Sequence, residues 1–136
     1  MASNQTEKIL AVVQQYLQAL GGRNLDDILA VMADEIDWYV PGDTSLAPWL
    51  GKRSVKADVK EFYELLWPAT LPMSAAVEHI IADGEFAVVS GEFSTKMLAT
   101  GKIVDSVFSI HITVTDGLIT RYRLLEDSLA VAEALR

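Results

Sequence analysis

Three observations predict an α+β fold. Residues between 7 and 66 place apolar side chains at helical spacing in three segments. After Pro68 the apolar period changes from 3.6 to 2. Asp83-Gly84 and Asp116-Gly117 then punctuate the strand-like runs, and Asp-Gly is a strong hairpin-turn signal. Helices grouped first and strands grouped last imply helices on one face of a curved, mainly antiparallel sheet.

The first helix spans 7–20, with Ile9, Val12, Val13, Tyr16, Leu17 and Leu20 on one side. Asn4 with Glu7 resembles a capping box, and Gly21-Gly22 ends the helix. Asn24 caps a short second helix with Leu25, Ile28, Leu29 and Met32 inward; Asp26 and Asp27 favour its dipole. Asp37–Val40 reads as a short strand, and a loop runs from Pro41 to about Arg53. Ser54 caps a third helix carrying Val55, Val59, Phe62, Leu65 and Leu66, which Pro68 ends. Strands follow over about 74–82, 86–98, 103–115 and 118–126, a meander of three hairpins. Ser128 caps a last helix through Ala134.

The 136 residues read as a single domain, 1–136, with enough apolar sequence for a core. A net charge of −8 and the lack of a basic stripe argue against nucleic acid as a partner. There is no cysteine, so disulfide and thiolate chemistry are excluded. Two lone histidines give no metal signature, and nothing in the pattern demands a cofactor. No apolar run approaches the ~18 residues of a membrane span, and the first residues lack the pattern of a signal peptide. A cytoplasmic protein without a membrane partner is the expectation.

Two patches carry a family resemblance. Val13-Gln14-Gln15-Tyr16-Leu17-Gln18-Ala19-Leu20, followed by Asn24-Leu25-Asp26-Asp27-Ile28-Leu29, resembles the opening of ketosteroid isomerases and their relatives. Trp38-Tyr39-Val40-Pro41-Gly42, Pro48-Trp49-Leu50-Gly51 and Val59-Lys60-Glu61-Phe62-Tyr63 resemble the SnoaL-like, polyketide cyclase-like branch. The resemblance implies the cone-shaped nuclear transport factor 2-like fold, helices and bent sheet around a cavity. That fold hosts many chemistries and also non-enzymes.

Tested residue by residue, the resemblance removes one activity. Tyr16 falls where a ketosteroid isomerase holds its donor tyrosine, but Val40 stands at the place of the base and Ile110 near that of the second donor. A valine takes no proton, so steroid isomerisation is rejected. The Asp–Arg–Asp set of limonene-type epoxide hydrolases is not recognisable either, since residues 86–115 contain no arginine. SnoaL-like cyclases use an acidic residue near the end of the last strand, where Glu126-Asp127 stands here and Asp127 matches best. Alternation puts Tyr122, Leu124 and Glu126 on one face and Arg121, Arg123, Leu125 and Asp127 on the other. The fold analogy turns the first set to the cavity, and a bulge at the strand end would reverse the last residue. Both carboxylates therefore stay candidates. Their plainer roles are a helix cap for Asp127 and a solvated strand end for Glu126.

Glu92 is the third candidate carboxylate. It lines the cavity if Val88, Ser90 and Ser94 face inward, and is exposed if Ala87, Val89, Gly91 and Phe93 do. Tyr16 is either a donor inside a pocket or a core tyrosine. Trp38, paired by alternation with Val40, should face in; Trp49 lies in a loop suited to a pocket rim; Trp67 reads as core. Tyr122, Phe62, Phe108 and Ile110 complete the expected ligand-binding set. His79 and His111 fall outside the cavity, on a half-polar face suited to a homodimer. The expected partner is a small, largely apolar, cyclic molecule held in the cone, with acid/base chemistry of isomerase, cyclase or hydratase type. The rival is a non-catalytic ligand-binding or protein-interaction module.

Overall fold

A computed structural model describes residues 4–136. The described chain runs α1 (Asn4–Gly21), α2 (Leu25–Ala30), β1 (Met32–Val40), β2 (Gly51–Val55), α3 (Lys56–Ala69), β3 (Thr70–Asp83), β4 (Phe86–Met97), β5 (Ile103–Thr115), β6 (Leu118–Glu126) and α4 (Ser128–Ala134). The strands form one sheet in the order β2-β1-β6-β5-β4-β3. Only β1 and β6 pair in parallel; the other neighbours are antiparallel. The α+β architecture with helices on the inner face of a curved sheet is as expected.

The turn signals act as their chemistry requires. Asp116 and Gly117 have φ of 52° and 81°, the left-handed pair of a type I′ turn between β5 and β6. The Asn24 side chain accepts a hydrogen bond from the Asp27 N–H at 3.1 Å and caps α2.

Several boundaries differ from expectation. Asn4 is already inside α1, so it does not cap it; the residue before it lies outside the described residues. Met32 leaves the helix and opens β1 opposite Ile119. The Pro41–Arg53 loop ends early because Gly51–Val55 forms β2 along β1. Ser54 lies in that strand, and the N-cap of α3 is Val55, without a side-chain cap. Pro68 sits within the last turn of α3 rather than ending it. Thr70 closes this end, its hydroxyl donating to the Leu66 carbonyl at 2.9 Å. Asp127, not Ser128, caps α4 by accepting from the Ala130 N–H at 2.9 Å.

The pairings sort the inner face into rows across the sheet. One row reads Ala82, Ala87, Ile112, Tyr122, Trp38 and Arg53. The next holds Ile80, Val89, Ile110 and Leu124, and the third Val77, Gly91, Phe108 and Glu126. Gly91 fixes this phase: an added Cβ would stand 2.0 Å from the Ala76 carbonyl oxygen and 2.9 Å from the Phe108 ring. Only glycine lets β3 and the Phe108 ring approach there.

Candidate functional site

The inner face is filled at one end by aromatic side chains. Tyr16 of α1, Tyr63 of α3 and Tyr122 of β6 bring their hydroxyls together, Tyr16 to Tyr63 at 2.7 Å and Tyr16 to Tyr122 at 2.6 Å. All three are buried, as is Trp38. Trp38 stacks on Tyr122 with centroids 4.0 Å apart and planes 7° from parallel, and Phe62 meets Trp38 edge-on at 5.1 Å. Burial is the largest cause raising each tyrosine pKa well above 10. The three hydroxyls therefore stay protonated as neutral donors.

Tyr16 links the other two. Tyr16→Phe leaves the Tyr63 and Tyr122 hydroxyls buried without their shared partner, an expected loss of about 1–2 kcal/mol. Chemical denaturation checks this; an unchanged midpoint would mean that Tyr63 and Tyr122 already satisfy each other.

The opposite end of the face is closed by α4. Val131, Ala132 and Ala134 are buried, as are Met97 and Val104. The Thr100 hydroxyl donates to the Ala134 carbonyl at 2.5 Å, and Lys102 Nζ donates to the Arg136 carbonyl at 2.7 Å. Between these closed ends lies a less covered strip. Phe93, Phe108, Leu124 and Glu126 are part-buried there, while Ala75 and Val77 are exposed.

Glu126 is the carboxylate on this strip. It lies opposite Phe108 in register and on the same face as Tyr122. Desolvation raises its pKa from 4.5 to about 7. Among the described residues it has neither a hydrogen bond nor an ion pair, and its negative charge helps raise the Tyr122 pKa. A carboxyl group poised near neutrality, with apolar neighbours and a tyrosine cluster two rows away, can donate or accept a proton.

The other candidates fall elsewhere. Asp127 is exposed and engaged as the α4 cap; its N–H donates to Ser106 Oγ at 2.9 Å. Glu92 is exposed on the outer face, because Ala87, Val89 and Gly91 point inward. It therefore lacks the desolvation that an acid/base role required. Trp49 does not line a rim: it is buried in the core. Ile110 and Phe62 are core residues behind the strip, and Phe108 is on it. His111 is outside, hydrogen-bonded to Ser109. Among the described residues, no three of His, Asp and Glu stand where they could share a metal ion.

Sequence reasoning missed Tyr63 as a hydroxyl partner and Arg53 as a buried cation. Adjacent Phe62 and Tyr63 both face the sheet, which a single helical stripe does not announce. Arg53 lies in a five-residue polar strand without alternation.

A family model described as a SnoaL-like domain matches residues 13–122. An NTF2-like protein of Burkholderia xenovorans LB400 has a similar structure, with a TM-score of 0.88 at 23% identity, covering 98% of this chain and 100% of its own. A protein of Jannaschia sp. CCS1, described as a SnoaL-like polyketide cyclase, has a TM-score of 0.82 at 16% identity, with 99% and 96% covered. TerC, co-crystallised with polyporic acid, has a TM-score of 0.82 at 22% identity, with 94% and 98% covered. No curated protein sequence matches the chain. No helix among the described residues is long and apolar enough to cross a membrane.

Proposed function

The chain belongs to the SnoaL-like domain family, and from that premise we propose that it binds a small, largely apolar, cyclic molecule against the inner-face strip and transfers a proton on it through Glu126. One observation carries this reading: Glu126 stands opposite Phe108, on the face it shares with Leu124 and Tyr122, with no counter-ion among the described residues. Isomerisation, ring closure and hydration each need a group that gives and takes a proton near neutral pH. The apolar neighbours Phe93, Phe108 and Leu124 suit a ring. A similar fold co-crystallised with a small molecule supports the ligand part of the reading.

The test is a titration of wild type and Glu126→Gln with small cyclic ketones and lactones, followed by amide NMR shifts and product analysis. Both forms should bind, with shifts at Val77, Phe93 and Phe108. Turnover should fall about 10²–10⁴-fold in the variant. Equal turnover by the two forms would remove Glu126 from the chemistry. Shifts confined to other faces would remove the strip as the site.

A second reading, a non-catalytic binding module, is favoured by how fully Tyr16, Trp38 and Tyr63 fill the interior. It predicts ligand shifts at the strip with no product from any probe.

The outer face supports a homodimer. Ile81, Phe86, Ile103 and Val107 are exposed on it, an apolar area of the kind that marks interaction surfaces. Sedimentation equilibrium should give a dimer that Val107→Glu converts to a monomer. A wild-type monomer would overturn this.

A further inference from the structure

Among the described residues, two buried side-chain nitrogens have no hydrogen-bond partner, Trp38 Nε1 and Arg53 Nε. They are not scattered. Trp38 and Arg53 are register partners across β1 and β2, so their side chains leave the same face with Cβ atoms about 5 Å apart. Both residues line one open cleft of about 680 Å³, separate from the strip that carries Glu126. It opens where the β1–β2 pairing is irregular between Glu35 and Trp38, against the first turn of α3.

That turn supplies a third set of donors. Val55 caps α3 without a side-chain hydrogen bond, and Val55 and Asp58 both line the cleft. The first turn of a 14-residue helix, where the dipole is positive, thus borders the same space.

The rest of the guanidinium is committed. Arg53 Nη1 donates to the Asp58 carbonyl at 2.9 Å and to Glu61 Oε1 at 3.0 Å. Nη2 reaches the Pro48 and Trp49 carbonyls, both at 3.4 Å. The Arg53 side chain is 9% exposed. Its fork holds the loop before β2 against α3, and only Nε is left over.

We propose that this cleft is a second ligand site, which takes the carboxylate group of a small monoanionic acid. Single N–H donors on neighbouring side chains match the two oxygens of one planar carboxylate. A neutral amide offers one acceptor oxygen for the two donors. A dianion such as phosphate meets Glu35 and Asp58 on the lining as well as the overall charge of −8. The Asp37 carboxylate is already held by Arg123 at 2.9 Å and Arg121 at 3.7 Å. Lys52 also borders the cleft, with its ammonium 5.5 Å from the Tyr39 ring centroid. Both orphan nitrogens are buried, so seating the carboxylate requires the Arg53 stem to move aside.

The test is a titration of the whole protein with sodium benzoate, benzamide and inorganic phosphate, read by NMR at the Trp38 indole N–H and the Arg53 Nε–H. Benzoate should move both signals saturably, and the other two probes should not. Trp38→Phe removes the indole N–H but keeps a ring beside Tyr122, and should weaken benzoate binding about tenfold or more. Arg53→Lys keeps a cation but lacks Nε–H, and should weaken it similarly. Glu126→Gln should leave benzoate binding unchanged, whether or not Glu126 is catalytic. An equal response to benzamide, a stronger one to phosphate, or no movement of either signal with any probe would overturn the proposal. Weakening by Glu126→Gln would merge the cleft with the strip and overturn it too.

Discussion

Gly91→Ala is expected to destabilise the protein by about 3 kcal/mol or more and to lower its Tm by roughly 10 °C. Gly91 has an ordinary strand conformation, so the cost is not one of backbone strain. It comes from space: the new Cβ would stand 2.0 Å from the Ala76 carbonyl oxygen, inside any allowed contact. The Phe108 ring, 2.9 Å away, can rotate; a backbone carbonyl cannot yield without moving β3. The pairing of β3 with β4 is already irregular between Val77 and His79, beside that carbonyl. Relief therefore means pulling β3 off β4 next to Val77 and Phe108, on the strip proposed to bind a ligand. Gly84→Ala is the control. Its φ of +62° carries strain, but the added Cβ meets nothing within 4 Å. It should cost only about 1 kcal/mol. Thermal and urea unfolding of the two variants checks the pair. Equal losses at 84 and 91 would mean that β3 does not press on Gly91.

The same glycine explains which parts of the site were legible in the sequence. Alternation sorted β4 into two faces but could not say which was inner, so Glu92 stayed a candidate. The close approach of Ala76 and Phe108 to Gly91, across two strand pairings, decides the phase. For β6 the alternation was enough: Tyr122, Leu124 and Glu126 share a face as expected. Asp127 falls out because its carboxylate caps the next helix. Strand extents in β4, β5 and β6 were readable to about a residue, since period-2 apolar runs end at left-handed turn residues. The five-residue β2 was not readable, because Gly51-Lys52-Arg53-Ser54-Val55 becomes a strand only through its partner β1. The tyrosine cluster was half legible. Tyr16 could be picked out, but its partners lie 47 and 106 residues away in the chain, and no local pattern records such a contact.

At pH 8, Glu126→Gln is expected to be more stable than the wild type by about 2–3 kcal/mol, with the difference vanishing near pH 4. Burial raises the folded-state pKa from 4.5 to about 7, and each unit is worth about 1.4 kcal/mol. In the unfolded chain Glu126 loses its proton near pH 4.5, while in the folded chain it keeps it until about pH 7. Between these values the folded state binds more protons, so wild-type stability falls as pH rises. Above about pH 7 both states are ionised at this position and the penalty is constant. Glutamine is neutral throughout and carries none of this dependence. The part-exposed carboxyl puts the expected gain nearer 2 than 3 kcal/mol. Urea midpoints of both proteins from pH 4 to 8.5 measure the difference directly. Parallel curves would mean that Glu126 is solvated, which would also remove the physical basis for its proton transfer. A divergence centred between pH 4.5 and 7 would show a fold holding an uncompensated carboxylate on its inner face. Packing alone gives no reason for that arrangement, because glutamine fills the same space without the charge. Proton transfer to a bound ligand does give one.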